Sequence, residues 1–306
     1  MHAPQSKTDT TARLMLVGIS LSWGLTWPAM RIALGEIPPF SMRMGTSGLA
    51  TAALLTLALV QRRSIRMRGA MAWAHLVVAG CLNIAGFTLF TAFAQVATAT
   101  SRVAILAYTM PIWAALLAYP VLGERLSVAR GVSLLLGTVG LAVLIYPLMG
   151  SSDLIGLVFA LAAAVSWATG TVYLKWARIE TDPIAVAIWQ LVVGFLVTVA
   201  GVLIVEGSPH LWPVHPRALW GLAFSSLIGC AFAYLLWFEI VRRLPATTAS
   251  LGVLSVPVVG IVASVLILGE RPTVADMVGS AFILAAAAGV LLAPAARSTQ
   301  TAPIEQ

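Results

Sequence analysis

Charge is what this sequence has least of. Only 9% of its 306 residues are Asp, Glu, Lys or Arg, where a water-soluble domain carries about 25%. With 60% hydrophobic residues and a mean hydropathy of +0.96, the balance excludes an ordinary soluble enzyme and describes an integral membrane protein. Cysteine is also scarce: Cys81 and Cys230 stand alone in apolar surroundings, which excludes a disulfide framework and a cysteine metal site. None of the 11 acidic residues falls in the middle of an apolar run. The four histidines lie at the start (His2), near a run's end (His75) or together between two runs (His210, His215). An intramembrane hydrolase needs a nucleophile with a base, and a metalloenzyme needs clustered ligands. Neither is present, so no enzyme, cofactor or metal is expected. A channel's rings of charge or repeated filter carbonyls are missing too. Proton relays through membranes normally use buried acids or histidines, so facilitated diffusion or exchange is favoured over tight proton coupling.

What is there is apolar length. A helix needs about 20 residues to cross a hydrocarbon core of about 30 Å. Ten runs qualify: Arg13–Leu34, Ser41–Val60, Ala70–Phe90, Thr98–Tyr119, Val128–Tyr146, Asp153–Leu174, Pro183–Val205, Arg217–Phe238, Ala246–Leu268 and Val274–Leu292. The fold class is therefore predicted as all-α with ten transmembrane helices. The first run is span-length and has no small-residue cleavage site, so it reads as a retained helix. Threading the runs with the N-terminus inside leaves only Arg31, Arg43, Arg102, Arg217 and Arg271, of 18 basic residues, towards the outside. This asymmetry places both termini in the cytoplasm and explains the net charge of +7 without a nucleic-acid partner.

The tetrapeptide Leu-Gly-Glu-Arg occurs twice, at Leu122–Arg125 and Leu268–Arg271, 146 residues apart. At the same offset Pro111 falls on Pro257, and Val128 and Ala129 on Val274 and Ala275. Upstream, Gly80-Cys81 meets Gly229-Cys230, Ser22-Trp23 meets Ser166-Trp167, and Arg31 meets Lys175. Four matches in the same order define two copies of a five-helix unit. The domain reading is a tail at 1–12, a first repeat at 13–146, a second at 153–292 and a tail at 293–306. Five is odd, so the second copy enters from the opposite face and the repeats have inverted topology. Inverted repeats recur in secondary transporters, where two copies exchange conformations around a site at mid-membrane. The Leu-Gly-Glu-Arg turns read chiefly as helix-ending corners, with glycine supplying a positive φ.

The ten helices, the paired Ser-Trp of helices 1 and 6, and the paired Pro followed by Gly-Glu near the ends of helices 4 and 9 resemble the EamA-type members of the drug/metabolite transporter superfamily. The resemblance implies a helical basket whose helices 3, 4, 8 and 9 line a central cavity, in a bacterial inner membrane. It implies export of amino acids and related metabolites, and the chain looks most like the aromatic amino-acid exporters. A proton-coupled drug/metabolite antiporter and a nucleoside- or sugar-type carrier are the alternatives.

Candidate site residues follow from the few polar and aromatic groups at depth. Pro111 and Pro257 each free a carbonyl four residues earlier, on Ala107 and Val253. Such carbonyls need protein or water to face. They mark hinge or gating positions and bring Tyr108, Ser250 and Ser255 into a cavity wall. Trp23, Trp113 and Trp167 lie deeper than the tryptophans of the interfacial belt and offer flat apolar walls. Asn83 and Tyr234 are placed to hydrogen-bond a zwitterion, with Gln190 and Tyr173 behind them; interhelical bonding is the plain alternative for each. Arg102 reads as a headgroup anchor, or else as a partner for a substrate carboxylate. The expected partners are a small-molecule substrate and the lipid bilayer. The small residues Gly137, Gly140, Gly279 and Ala285–Gly289 leave open a monomer or a homodimer.

Overall fold

The computed structural model describes residues 5–123, 128–243 and 255–292, and every regular element among them is helical. Numbered as continuous rods, these are α1 (Gln5–Leu34), α2 (Pro39–Val60), α3 (Ala70–Ala97), α4 (Thr100–Leu122), α5 (Val128–Ile145), α6 (Asp153–Ala177), α7 (Pro183–Glu206), α8 (Pro216–Arg243), α9 (described over Ser255–Leu268) and α10 (Val274–Leu292). Seven of them, α2 to α8, are long and apolar enough to cross a membrane; the described part of α9 and the apolar part of α10, Val274–Gly289, are shorter. Each predicted run falls on one rod, and residues 246–254 of the ninth lie outside the described residues. The third run was drawn too short: Phe87–Ala97 continues α3 past Phe90, because Thr88 and Thr91 return their hydroxyls to Ile84 and Thr88 carbonyls at 2.6 and 2.9 Å and so cost the helix little.

Local chemistry sets most ends. Proline opens α2, α7 and α8, where its missing N–H is no loss. Asp182 caps α7 by accepting from Ile184 N at 2.8 Å. Thr273 and Asp276 form a reciprocal box at the start of α10, with Thr273 N donating to Asp276 Oδ2 at 2.8 Å and Asp276 N to Thr273 Oγ1 at 3.1 Å. Gly123 and Gly269, the glycines of the repeated tetrapeptide, adopt nearly equal positive φ of 68° and 70°. Glu124 and Arg125 lie outside the described residues. In α4 the rod breaks at Tyr108-Thr109, between Thr100–Ala107 and Met110–Leu122. Pro111 cannot donate to Ala107, and the chain tightens ahead of it, with Tyr108 N donating to Ile105 O at 3.1 Å and Thr109 N to Leu106 O at 3.0 Å.

The packing pairs helices that hold equal places in the two matched stretches: α2 with α7, α4 with α9, and α5 with α10. The remaining main contacts come in exchanged pairs, α1 on α8 and α9 with α6 on α3 and α4, and α2 on α8 with α7 on α3. Register shows the direction of each equivalent pair. A Cβ on Gly140 would lie 2.9 Å from Gly279 O and one on Gly137 3.4 Å from Ala286 Cβ, so α5 and α10 run antiparallel. In α2 and α7, Gly48 faces Phe195 while Ser41 bonds Glu206; in α4 and α9, Ala104 lies by Gly260 while Thr100 bonds Glu270. Both pairs are antiparallel as well. The small residues of α5 and α10, open to dimer contact on sequence, are used in this internal seam.

Two helix starts without a local cap are closed from across the molecule. Glu206, the last residue of α7, accepts from Phe40 N at 2.8 Å, Ser41 N at 2.9 Å and Ser41 Oγ at 2.6 Å. Glu270 accepts from Thr100 N at 2.6 Å and Ser101 N at 2.9 Å, at the start of α4. Beside it Arg102 departs from both sequence readings. Its guanidinium grips Asp276 bidentately, Nε to Oδ1 at 2.7 Å and Nη2 to Oδ2 at 3.1 Å, and reaches Asp153 Oδ2 at 2.7 Å. It is therefore neither a free headgroup anchor nor a free substrate ligand: two carboxylates within reach outcompete both. Arg31 donates to the Gln95 carbonyl.

Because the Arg102 and Asp276 side chains are only 13% and 10% exposed, Arg102→Ala leaves two carboxylates without their cation. We expect a loss of about 3–5 kcal/mol, read as a clear fall in the thermal unfolding midpoint in detergent, with Arg66→Ala, on an exposed loop, close to unchanged.

Candidate functional site

Two helices change their winding where the repeated Gly-Cys dipeptides fall. Cys81–Gly86 of α3 and Phe224–Phe232 of α8 are π-helical. A π turn replaces the i→i+4 bonding of the α-helix by i→i+5 and is frequent at functional places. In α3 the Leu82 carbonyl, which accepts from Phe87 N within the turn, takes a second donor from the other half: Ser166 Oγ of α6 at 2.7 Å. Ser22, the twin of Ser166, instead returns its hydroxyl to Gly18 O of its own helix at 2.8 Å. Glycines let neighbours close on these turns: a side chain at Gly170 would strike Asn83, and one at Gly229 would strike Thr26.

Asn83 is buried in the α3 π turn, and its Nδ2 donates to Gln190 Oε1 of α7 at 3.0 Å. Its Oδ1 is buried without a partner. Its neighbour Ile84 joins Tyr234 and Cys230 of α8 and Ala50 and Leu54 of α2 in one apolar cluster. Trp167 meets Phe87 edge-on at 4.9 Å, and Trp23 meets Trp237 at 5.9 Å and 44°. Trp23 also packs on the cluster that holds Tyr108 and Trp27. Trp113 stands apart, its Nε1 donating to Thr109 Oγ1 at 3.1 Å at the break in α4. Ser255 Oγ lies 2.6 Å from Ser20 Oγ of α1. Pro111 is half-buried and Pro257 is buried. Ser250 lies outside the described residues. The structure thus brings Asn83 and Trp167 to the α3–α6–α7 contact, sets Tyr234 of α8 in the apolar cluster that Ile84 shares, and gathers Trp23, Tyr108 and Ser255 around α1, while Trp113 belongs to neither group.

The two ends of the bundle differ. At the end where α1 passes to α2, Glu36 accepts from His215 N at 2.8 Å and from its Nδ1 at 2.9 Å. That backbone bond, then the ring, holds the exposed Glu36 carboxyl below its ordinary pKa. His210 N also donates to Ser41 Oγ at 3.0 Å. With the Glu206, Glu270 and Arg102 bonds, this end is tied across the molecule. The opposite end, between the α2–α3 and α6–α7 connections, holds a cavity of about 620 Å³ lined by Arg66, Arg68, His75, Arg178 and Glu180 among others. His75 Nδ1 lies 2.7 Å from Tyr173 OH there.

Sequence reading missed a polar group at the tied end. Arg43 of α2, Thr91 and Gln95 of α3 are all buried. Arg43 Nη2 donates to Thr91 Oγ1 at 2.8 Å and to Met30 Sδ, and Gln95 Nε2 donates to Trp27 O at 3.0 Å. A signal was present: Arg43 shares its helix face with Met42, Thr46, Ser47, Ala50 and Leu54, all buried, at the spacing of an inward stripe.

With this geometry in hand, the likenesses to known proteins fall into place. Residues 10–146 and 154–292 each match the EamA-like transporter family. A Bacillus subtilis protein named "Uncharacterized transporter YoaV" is 25% identical over 273 residues, 88% of this chain and 93% of that one. A Salmonella typhimurium protein named "Probable amino-acid metabolite efflux pump" is 26% identical over 174 residues, 54% of this chain and 58% of its own. A solved crystal structure superposes with a TM-score of 0.64, covering 92% of this chain and 96% of its own at 24% identity, a likeness of fold.

The Asn83–Gln190 bond separates the ligand role of Asn83 from its interhelical one. Interhelical hydrogen bonds in membranes contribute about 0.6 kcal/mol and at most about 1.7. A double-mutant cycle of Asn83→Ala and Gln190→Ala on unfolding stability is expected to give a coupling in that range. A coupling near zero would show that the two side chains do not support each other in the folded protein.

Proposed function

The chain belongs to the EamA-like transporter family, and on that premise we propose that it is a secondary transporter exporting small, largely apolar amino acids, aromatic ones foremost, and related metabolites. It works by alternating access and facilitated diffusion in a bacterial inner membrane, as ten spans in two inverted five-helix repeats, with both termini cytoplasmic.

The observation that carries the reading is the antiparallel register of α2 with α7, α4 with α9 and α5 with α10. A copy related to its twin by inversion presents each helix to its counterpart in the opposite direction. Such a pair of copies can exchange conformations, and exchange turns a site between them from one face to the other. The contrast between a tied end and an end with a 620 Å³ cavity supports one member of such a pair of states, open to the cytoplasm. Trp23, Trp167, Tyr108 and Tyr234 supply aromatic walls, Asn83, Ser250 and Ser255 polar contacts, and the break at Pro111 with buried Pro257 the bending points; Trp113 braces the bend through Thr109. The amino-acid class is supported by the name of the Salmonella typhimurium relative. Substrate moves the equilibrium only through its different affinity for the two states.

One observation favours a second reading. His75 and Tyr173 form a bonded pair at 2.7 Å beside the open cavity, the only histidine described within an apolar rod, and a proton-coupled antiporter would use such a group.

Flux in proteoliposomes tests both. Labelled phenylalanine is expected to cross with saturation and counterflow, only down its own gradient, with or without a pH difference. Uphill accumulation driven by pH, abolished in His75→Gln, would replace the passive carrier with the antiporter. A protein that moves nucleosides but no amino acid would end the substrate assignment.

A further inference from the structure

Arg43 is 6% exposed and cannot shed its proton at physiological pH. Burying a guanidinium is costly unless an anion meets it, yet no carboxylate of the described residues forms an ion pair with it. Its Nη2 is spent on a hydroxyl and a thioether, Thr91 Oγ1 and Met30 Sδ. Its Nε is buried with no acceptor at all.

Nor is the side chain reaching for headgroups. Arg43 lies four residues into α2, about 6 Å from its start, whereas Thr91 lies six residues before the end of α3, about 9 Å deep. The guanidinium is held deeper than its own backbone, the reverse of snorkelling. Thr91 Oγ1 donates onward to Thr88 O at 2.9 Å, so its lone pair is turned to the arginine and the fork is fixed in place.

One turn further along α3, on the same face, Gln95 is wholly buried. Its amide is anchored on Trp27 O at 3.0 Å, and its Oε1 accepts nothing. An unpaired cationic donor held at Thr91 and an unpaired neutral acceptor at Gln95 are therefore carried by successive turns of α3, with buried Trp27 and Met30 as their other contacts. An α-amino acid carries the complement on one carbon: a carboxylate and an ammonium.

We propose that Arg43 and Gln95 bind the head of the transported amino acid, Arg43 taking the carboxylate in place of Met30 Sδ and Gln95 Oε1 accepting from the ammonium. A thioether is a weak acceptor on a chain with three rotatable bonds, so a carboxylate displaces it with a net gain. The assignment rests on the carrier function proposed above and moves the polar recognition from Asn83 at the middle of α3, whose amide already serves Gln190, to the C-terminal end of that helix.

The test uses full-length protein in proteoliposomes and three probes competing against labelled phenylalanine: phenylalanine itself, 3-phenylpropionate, which keeps only the carboxylate, and phenethylamine, which keeps only the ammonium. Arg43→Met is expected to weaken phenylalanine and phenylpropionate by on the order of 30-fold or more while leaving phenethylamine within about threefold. Gln95→Met is expected to do the reverse, weakening phenylalanine and phenethylamine but not phenylpropionate. The crossed pattern is a readout that loss of packing does not produce, and Gln95→Met keeps the proposal testable if Arg43→Met does not fold. If Arg43 were merely a misplaced charge, methionine there would be neutral or stabilising and all three probes would compete as in wild type, which would overturn the assignment and leave the carrier reading standing. Wild-type flux of an uncharged nucleoside with no competition by any probe would overturn both the head-group site and the amino-acid class, but not the carrier. No saturable flux of any solute would overturn all three.

Discussion

A helix amino terminus in hydrocarbon has to find its own hydrogen-bond acceptors, because no water is there to supply them. In this protein the acceptors for α2 and α4 are carboxylates that belong to the other half of the chain, Glu206 and Glu270. Each adds charge to geometry, since a negative group at a helix start also meets the positive end of the helix dipole. The consequence is that the first half is not complete alone. α2 begins properly only when α7 ends beside it, and α4 only when α9 turns into α10 above it. Arg102 adds a third tie of the same kind, from α4 to both α6 and α10.

Such ties decide where the molecule can move. The seam of α5 and α10, closed by Gly140 and Gly279 against each other's carbonyls, has no slack for sliding. The π turns in α3 and α8 are different. They hold their neighbours through a few directional bonds and through contacts that only glycine permits, and they sit where the two halves meet. A bundle stiff at one flank and locally unwound at its middle bends at the middle. This places compliance next to Asn83, Trp167 and Tyr234, whatever solute lies between them.

The legible and illegible parts of this structure divide by range. Rod positions and the corner glycines were readable, because a span is a run of apolar residues and a corner with positive φ calls for glycine. The break in α4 was readable from Pro111 alone. The cross-molecule caps were not, since Glu206 and its partner Ser41 are 165 residues apart and each is an ordinary polar residue at the edge of an apolar run. Arg102 was misread for the same reason: its partners come from two other helices, and a lone arginine near a span's end looks like an anchor. Arg43 was passed over because counting basic residues by side says nothing of which way a side chain runs. Asn83 was found as a polar group at depth, but the partner that occupies its amide, Gln190, was beyond reach of spacing.

Ser22 and Ser166 occupy matched places, yet one serves its own helix and the other a carbonyl across the interface. If the halves trade conformations, each serine inherits the other's task in the alternate state. Every twinned position is then under two sets of demands at once, only one of which is visible in a single arrangement. Tolerance to substitution at Ser22 is accordingly set by a bond that Ser22 does not make here but Ser166 does. On that proposed exchange, the second copy would record how the first looks in the other state.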